Sequence, residues 1–239
     1  MIQDVQYGSA AASVYDALIS ANVPAEPTLE KLRPHVTGAR VLEIGVGTGR
    51  MAVPVAGIAR EVVGLDNSRP MLDRFRAKSV PPNVTLVEAD FRQPLPLAPG
   101  FGAAYSMLGS LCCVRTRDEL VAAFTHVRDV LDAGGVLCME YYATEVYRMT
   151  ARLGTVTVPS PGGSGTTTLT AGIDEHDVLT VSTLIEEPDR APVSFGEQVL
   201  LIDRAEVEEC LAAAGFTVEQ AVPAEEMQPY DWYTARVAA

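Results

Sequence analysis

Positive charge is what this sequence has least of. Its 239 residues carry 31 acidic against 18 basic side chains, a formal net charge of −13. Nowhere do the bases form a run. Nucleic-acid binders take most of their affinity from Lys and Arg on phosphates, and anionic membrane surfaces call for basic patches. Both partners are therefore disfavoured, and the acidity reads as a solvated surface. Lysine is scarcer still, with only Lys31 and Lys78. The four cysteines, Cys112, Cys113, Cys138 and Cys210, include no CxxC pair. They read as small buried hydrophobes of a reducing cytosol, and no metal site is expected. A spanning segment is missing too. The uncharged stretch from Gln93 to Val114 contains Pro94, Pro96, Pro99 and three glycines, which no membrane helix of that length tolerates. Met1-Ile2-Gln3-Asp4 has no basic region leading into an apolar one, so no targeting segment is expected and the location reads as cytoplasmic.

What the chain does have is alternation. Ala10 to Ala21 reads as an amphipathic helix, and Leu29, Leu32 and Val36 mark a second one interrupted by Pro34. Short apolar runs then alternate with helical spacing: strands at Val41–Ile44, Glu61–Leu65, Val84–Val87, Ala103–Leu108 and Val136–Tyr142. Between them lie helices at Met51–Ala59, Pro70–Lys78 and Arg117–Leu131, the last opened by Thr116 and Glu119 as a capping box. Such alternation predicts an α/β fold: a doubly wound, Rossmann-like, seven-stranded and mostly parallel sheet with helices on both faces. From Thr150 the texture changes. Thr166–Ile173, Val178–Glu186 and Val193–Ile202 are rich in β-formers and read as antiparallel strands. The α/β pattern resumes with Asp203 and Glu206 capping a helix that Gly215 stops, then with strands at Phe216–Val222 and Tyr230–Val237. The expected organisation is one domain, 1–239, with an N-terminal helical lid at about 1–37 and a β-rich cap at about 143–201.

The chemistry centres on Glu43-Ile44-Gly45-Val46-Gly47-Thr48-Gly49-Arg50, a glycine loop between a strand and a helix. Glycines let the loop turn tightly and let a ligand press on the backbone, and a helix N-terminus offers unpaired N–H groups. Arg50 stands where a G-x-G-x-x-G dinucleotide fingerprint needs its third glycine. No G-K-[ST] follows to make a P-loop. Asp66 ends the second strand, where a doubly wound sheet faces the ribose of a nucleoside. Asp90 and Phe91 end the third, an acceptor for an exocyclic amine beside an apolar wall. Three such features at successive strand ends point at one crevice.

On these residues the sequence resembles the class I S-adenosylmethionine (SAM)-dependent methyltransferases. VLEIGVGTGR resembles their first motif, VVGLDNSRPML their second and VEADF their third, over about residues 36–142. The resemblance implies SAM as cofactor. It places the methionine end on the loop (Glu43, Gly45, Gly47, Gly49, Arg50), ribose on Asp66 beside Asn67, and adenine between Asp90, Phe91 and Met71. The fourth strand departs from the family's pattern, opening with Phe101-Gly102 instead of an acid. No Asp-Pro-Pro-Tyr segment or Pro-Cys nucleophile is present, which disfavours base methylation. The segment Ser106-Met107-Leu108-Gly109-Ser110-Leu111 instead is similar to small-molecule methyltransferases acting on glycine or amino sugars. Met107 joins the expected cofactor contacts through it.

Methyl transfer is an in-line displacement that chiefly needs alignment. A base is required only for a poorly ionised hydroxyl or a protonated amine. His35, His126 and His176 occupy no obvious base position. Glu140, Tyr141 and Tyr142, ending the fifth strand, are the expected catalytic group, and Tyr7 and Tyr15 the expected lid aromatics. The leading reading is methyl transfer to nitrogen or oxygen of a small metabolite. Two others stay open: a non-methyl reaction such as a cyclisation or decarboxylation on the same fold, and a binding module without catalysis. The acceptor is unnamed, and a homodimer is left open.

Overall fold

The computed structural model describes residues 8, 10–20, 23–160, 165–225 and 229–238. The apolar runs become β1 Arg40–Ile44, β2 Glu61–Asp66, β3 Val84–Glu88, β4 Phe101–Ser106 and β5 Leu131–Tyr142. After an inserted stretch, β10 Phe216–Val222 and β11 Tyr230–Val237 complete a seven-stranded sheet of order β10-β11-β5-β4-β1-β2-β3. Strand β11 runs antiparallel to both of its neighbours, and the other pairings in the sheet are parallel. The helices are α1 Glu26–Val36, α2 Ala52–Ala56, α3 Arg69–Arg76, α4 Arg117–Arg128 and α6 Arg204–Ala213.

Both faces of the sheet are covered, which is why its central strands are apolar without alternation. Val41, Val62, Ala103, Tyr105, Val136 and Cys138 pack in one layer with α1, α2 and Phe75 of α3. Their chain neighbours Leu42, Val63, Ala104, Leu137 and Met139 pack in the other with α4 and α6. The two-residue period of a strand makes that division. β1 leads by α2 and α3 to β2 and β3 on one side, and the chain then crosses to β4 on the other. The sheet's switch point therefore lies between β1 and β4, and a crevice opens at their carboxyl ends.

Residues 143–201 form α5 Thr144–Leu153 and a second sheet of four antiparallel strands in sequential order, β6 Thr155–Pro159, β7 Thr166–Ile173, β8 Val178–Glu186 and β9 Val193–Leu200. The entrance and exit of this insertion are tied together, since Thr144 Oγ1 donates to the Ile202 carbonyl at 2.5 Å. Neither α5 nor β6 is among the expected elements. Among the described residues, no helix is long and apolar enough to cross a membrane.

Local expectations change in four places. Residues 10–20 do not form one regular helix, but turns followed by a π-helical segment, Asp16–Ser20. Helix α1 runs through Pro34, because a proline near the end of a helix removes one hydrogen bond without ending it. Helix α4 stops at Arg128, not Leu131, and β5 begins at Leu131, earlier than the pair Gly134-Gly135 suggests. The Asp203–Glu206 capping box is present in both directions, at 3.0 and 2.8 Å.

One glycine fixes how the loop after β1 sits on α3. Gly49 has φ +88°, and a Cβ there would lie 2.4 Å from the ring of the fully buried Phe75. Gly38 has a similar φ of +70° with nothing within 4 Å. Gly38→Ala should cost only the left-handed backbone penalty, about 1–2 kcal/mol. Gly49→Ala should cost a further ~1–3 kcal/mol from overpacking. Urea unfolding of both variants checks this, and equal losses would show that Phe75 yields freely.

Candidate active site

The crevice is built from backbone first. Gly45, Gly47 and Gly49 all have left-handed φ, +74°, +53° and +88°, a region that costs side-chain-bearing residues energy. The turn ties the loop to the neighbouring strand, because the N–H groups of Gly45 and Val46 both donate to the Leu65 carbonyl, at 2.8 and 3.0 Å. Asp66, the next residue, then grips both sides of the crevice. Its Oδ2 accepts from Gly47 N and its Oδ1 from Ser68 N, each at 2.8 Å. Ser68 in turn caps α3 through Met71 N. Burial raises the Asp66 carboxyl above the usual carboxylate range, and backbone N–H groups of Ser68, Gly47 and Asn67 pull it back down.

Beneath the loop lies a second acid. Glu43 is buried, and its Oε2 accepts from the Tyr105 hydroxyl at 2.8 Å. Burial pushes it up to about 8; the Tyr105 bond and the positive Arg50 oppose this, and Asp66 adds to it. Arg50 has a buried Nη1 with no hydrogen-bond partner. An unmet charged donor is costly inside a protein.

At the end of β3, both Asp90 oxygens accept from Arg92: Oδ1 from Nε at 2.9 Å and Oδ2 from Nη2 at 2.8 Å. Burial opposes ionisation, but these bonds hold the Asp90 carboxyl below its ordinary value. Phe91 reaches the cavity while Asp90 itself does not line it.

The N-terminal segment closes the cavity from above. Tyr15 lines it, and its phenol is pushed up to about 12 by burial, against the pull of Arg50 and with the help of Asp66 and Glu197. Its neighbour Asp16 is an anchor. It accepts from Thr48 Oγ1 at 2.6 Å, Arg74 Nε at 3.1 Å and Lys78 Nζ at 2.8 Å, which ties the segment to the glycine loop and to α3. Burial raises its carboxyl, but the bonds from Lys78, Thr48 and Arg74 prevail and bring it to about 2. Tyr7 lies outside the described residues.

From the other side come the ends of β4 and β5. Glu140 Oε2 accepts from Leu108 N at 2.7 Å and holds the turn after β4, in which Leu108 has φ +54°. Tyr142 donates its hydroxyl to Glu197 Oε1 at 3.0 Å. The expectation that Tyr141 faces the crevice is corrected. It shares the inner face of β5 with Leu137 and Met139, is 1% exposed, and donates its hydroxyl to the Leu200 carbonyl at 2.8 Å.

Of the expected cofactor contacts, Tyr15, Gly45, Gly47, Asp66, Asn67, Met71 and Phe91 line the cavity. Glu43, Gly49, Arg50, Asp90 and Met107 do not. Glu43 and Gly49 support the loop from behind, and Met107 is buried in the layer with α1 and α2. Gly8, Leu65, Ser68, Leu108, Ser110, Cys113 and Glu197 also line the cavity and are not among the expected contacts. Glu197 had a signal: it sits between Phe195 and Val199 on the inward-facing positions of a strand, where a carboxylate is out of place.

Two observations fit a nucleoside with an amino-acid tail. Gly47 faces the cavity with nothing within 4 Å of where a Cβ would stand, which leaves room for a ligand against the backbone. The unpartnered Arg50 N–H beside the loop calls for an acceptor such as a carboxylate. SAM offers both features.

Comparison with known proteins agrees. Residues 41–135 match a family model described as a methyltransferase domain. The chain is 26% identical to the cypemycin N-terminal methyltransferase of a Streptomyces species over 215 residues, covering 89% of this chain and 87% of that protein. The CcbJ methyltransferase from Streptomyces caelestis has a similar structure, with a TM-score of 0.84, 24% identity and 98% of each chain covered. The SAM-bound amino pentose methyltransferase CalS10 from Micromonospora echinaspora superposes with a TM-score of 0.69, at 21% identity over 92% of this chain and 90% of that one.

The buried Glu43 makes a pH prediction. Unfolded, it ionises near the ordinary 4.5; folded, near 8. Across that window the folded state keeps a proton that the unfolded state has lost, so stability falls as pH rises, by at most about 1.4 kcal/mol per pH unit. Glu43→Gln retains an acceptor for Tyr105 and loses the titration. Its stability relative to the unmodified protein should therefore climb steadily from pH 5 to pH 8 in denaturant titrations; a constant difference would overturn the assignment.

Proposed function

We propose that this chain, which carries a class I SAM-dependent methyltransferase domain, transfers the cofactor's methyl group to a nitrogen or oxygen of a small-molecule metabolite. The observation that carries this reading is the Asp66 carboxylate bridging Gly47 and Ser68 at the carboxyl end of β2, in a cavity whose described lining holds Asp66 and Glu197 but no Lys, Arg or His. Such a cavity suits a cationic sulfonium. Bound there, SAM supplies a methyl group on positive sulfur, open to a nucleophile.

The chain's own residues then bind and align. Asp66 beside Asn67 is placed for the ribose hydroxyls, and hydrogen bonds to a charged group contribute roughly 1.5–3 kcal/mol. Met71 and Phe91 supply apolar walls for adenine, with Asp90 held at the rim by Arg92. Gly45 and Gly47 bring the backbone close to the methionine end, and Arg50 is the candidate for its carboxylate. Tyr15 excludes water from above, held by the Asp16 anchor. Holding acceptor, methyl and sulfur in line is the main catalytic task. We read residues up to about 37 as a lid and 143–201 as the cover that selects the acceptor.

The acceptor class is supported by the names of the relatives, an N-terminal methyltransferase and an amino pentose methyltransferase. A non-methyl reaction on the same fold is not favoured. The net charge of −13 supports a reading with neither nucleic acid nor an anionic membrane surface as its partner.

Calorimetry should find SAM bound at about one per chain. Asp66→Ala should weaken binding at least a hundredfold, because it removes the ribose acceptor and frees the Gly47 turn together. An intact protein that shows no SAM binding would sink the reading.

A further inference from the structure

Strand β9 of the insertion turns one residue of each kind towards the core. Phe195 packs beside Ala11, Ala12 and Met71, Glu197 lines the cavity, and Val199 is buried in the layer with α4 and α6. Alternation along a strand gives all three the same side. The cavity's second carboxylate thus comes from the insertion and not from the sheet that carries the glycine loop.

This carboxylate is held from behind. Tyr142 donates to it at 3.0 Å. The Tyr142 ring stacks on Tyr147 at 4.2 Å between centroids and lies against Tyr230 at 5.2 Å. Gly109 backs the ring on another side: a Cβ there would come within 2.6 Å of Tyr142, and the residue's φ is +73°. Burial keeps the phenols of Tyr142, Tyr147 and Tyr230 above their ordinary value, and the nearby charge of Glu197 adds to it. They remain O–H donors, and through Tyr142 this aromatic stack holds the Glu197 side chain.

We propose that Glu197 is the acceptor-binding carboxylate and that, with Tyr142 as its positioning residue, it selects a small-molecule amine, bound as its ammonium, over a hydroxyl compound. This rests on the methyltransferase reading. A carboxylate attracts a cation far more than a neutral hydroxyl, and in a partly desolvated cavity the difference is large. It is too weak a base for an alcohol, but within reach of an ammonium. The bound ammonium gives one proton to Glu197. The lone pair so exposed closes on the methyl carbon, while the electrons of the C–S bond stay with sulfur. The products are an N-methyl ammonium and a neutral thioether.

The test uses two probes of one size, cyclohexylammonium and cyclohexanol, titrated into the full chain saturated with S-adenosylhomocysteine and followed by protein-observed NMR. Cyclohexylammonium should bind at least tenfold more tightly. Glu197→Gln should remove that preference while S-adenosylhomocysteine affinity stays within about twofold, which also shows the variant to be folded. Tyr142→Phe should reduce the preference without abolishing it, and Glu197→Asp should restore part of it. Equal binding of the two probes, binding of neither, or a preference that survives Glu197→Gln overturns the proposal. So does a Glu197→Gln variant that loses S-adenosylhomocysteine, since Glu197 would then belong to the cofactor. A wild-type protein that binds no S-adenosylhomocysteine fails earlier, at the methyltransferase reading itself.

Discussion

The site depends on two hydrogen bonds from one carboxylate. Asp66 receives Gly47 N–H on one oxygen and Ser68 N–H on the other, which couples the loop after β1 to the cap of α3. Each partner is constrained in its own right. Gly47 occupies a left-handed conformation, and Ser68 begins a helix. Burial disfavours the charged form of Asp66, so the backbone donors that shape the crevice also keep its carboxylate usable.

Around that bridge the cavity is assembled from four sources that are distant in sequence. The sheet supplies Asp66, Phe91 and the glycine loop. The N-terminal segment supplies Tyr15, pinned by the ion pairs of Asp16 to Arg74 and Lys78. The turn after β4 supplies Leu108 and Ser110, held by Glu140. The insertion supplies Glu197, held by Tyr142. One of the two lysines in the chain serves the anchor, and Lys78 Nζ also reaches the Thr48 carbonyl at 3.0 Å. Arg74 and Lys78 are thus spent on the frame, and the carboxylates Asp66 and Glu197 face the ligand space. That sign of charge complements a sulfonium.

The α/β fold was legible because its signals are local. Strands β1 to β4 are short apolar runs, the helices between them keep the spacing of one buried face, and Asp203 with Glu206 marks a helix start within four residues. The strand boundaries of β7, β8 and β10 were equally legible. Elements whose stability comes from what they pack on were not. Helix α5 buries no residue fully and sits against β7, and its amphipathic spacing lies inside a stretch read as a β-rich cap. The end of α4 and the start of β5 are set by the pairing of Leu131 with Phe101, which a glycine pair four residues later cannot reveal. Residues 10–20 follow Asp16 and its distant cations instead of helical propensity.

The same division holds for the site. By itself the sequence determined the order of the strands' apolar runs, the glycine loop and the acids that end β2 and β3, because strand ends and tight turns are written in neighbouring residues. The tertiary structure decided which side chains share a space. Facing direction on β5 sends Tyr141 into the core and leaves Tyr142 to meet Glu197 from a strand 55 residues away. No spacing rule links those positions; they meet because the inserted sheet folds its inward face back over the crevice.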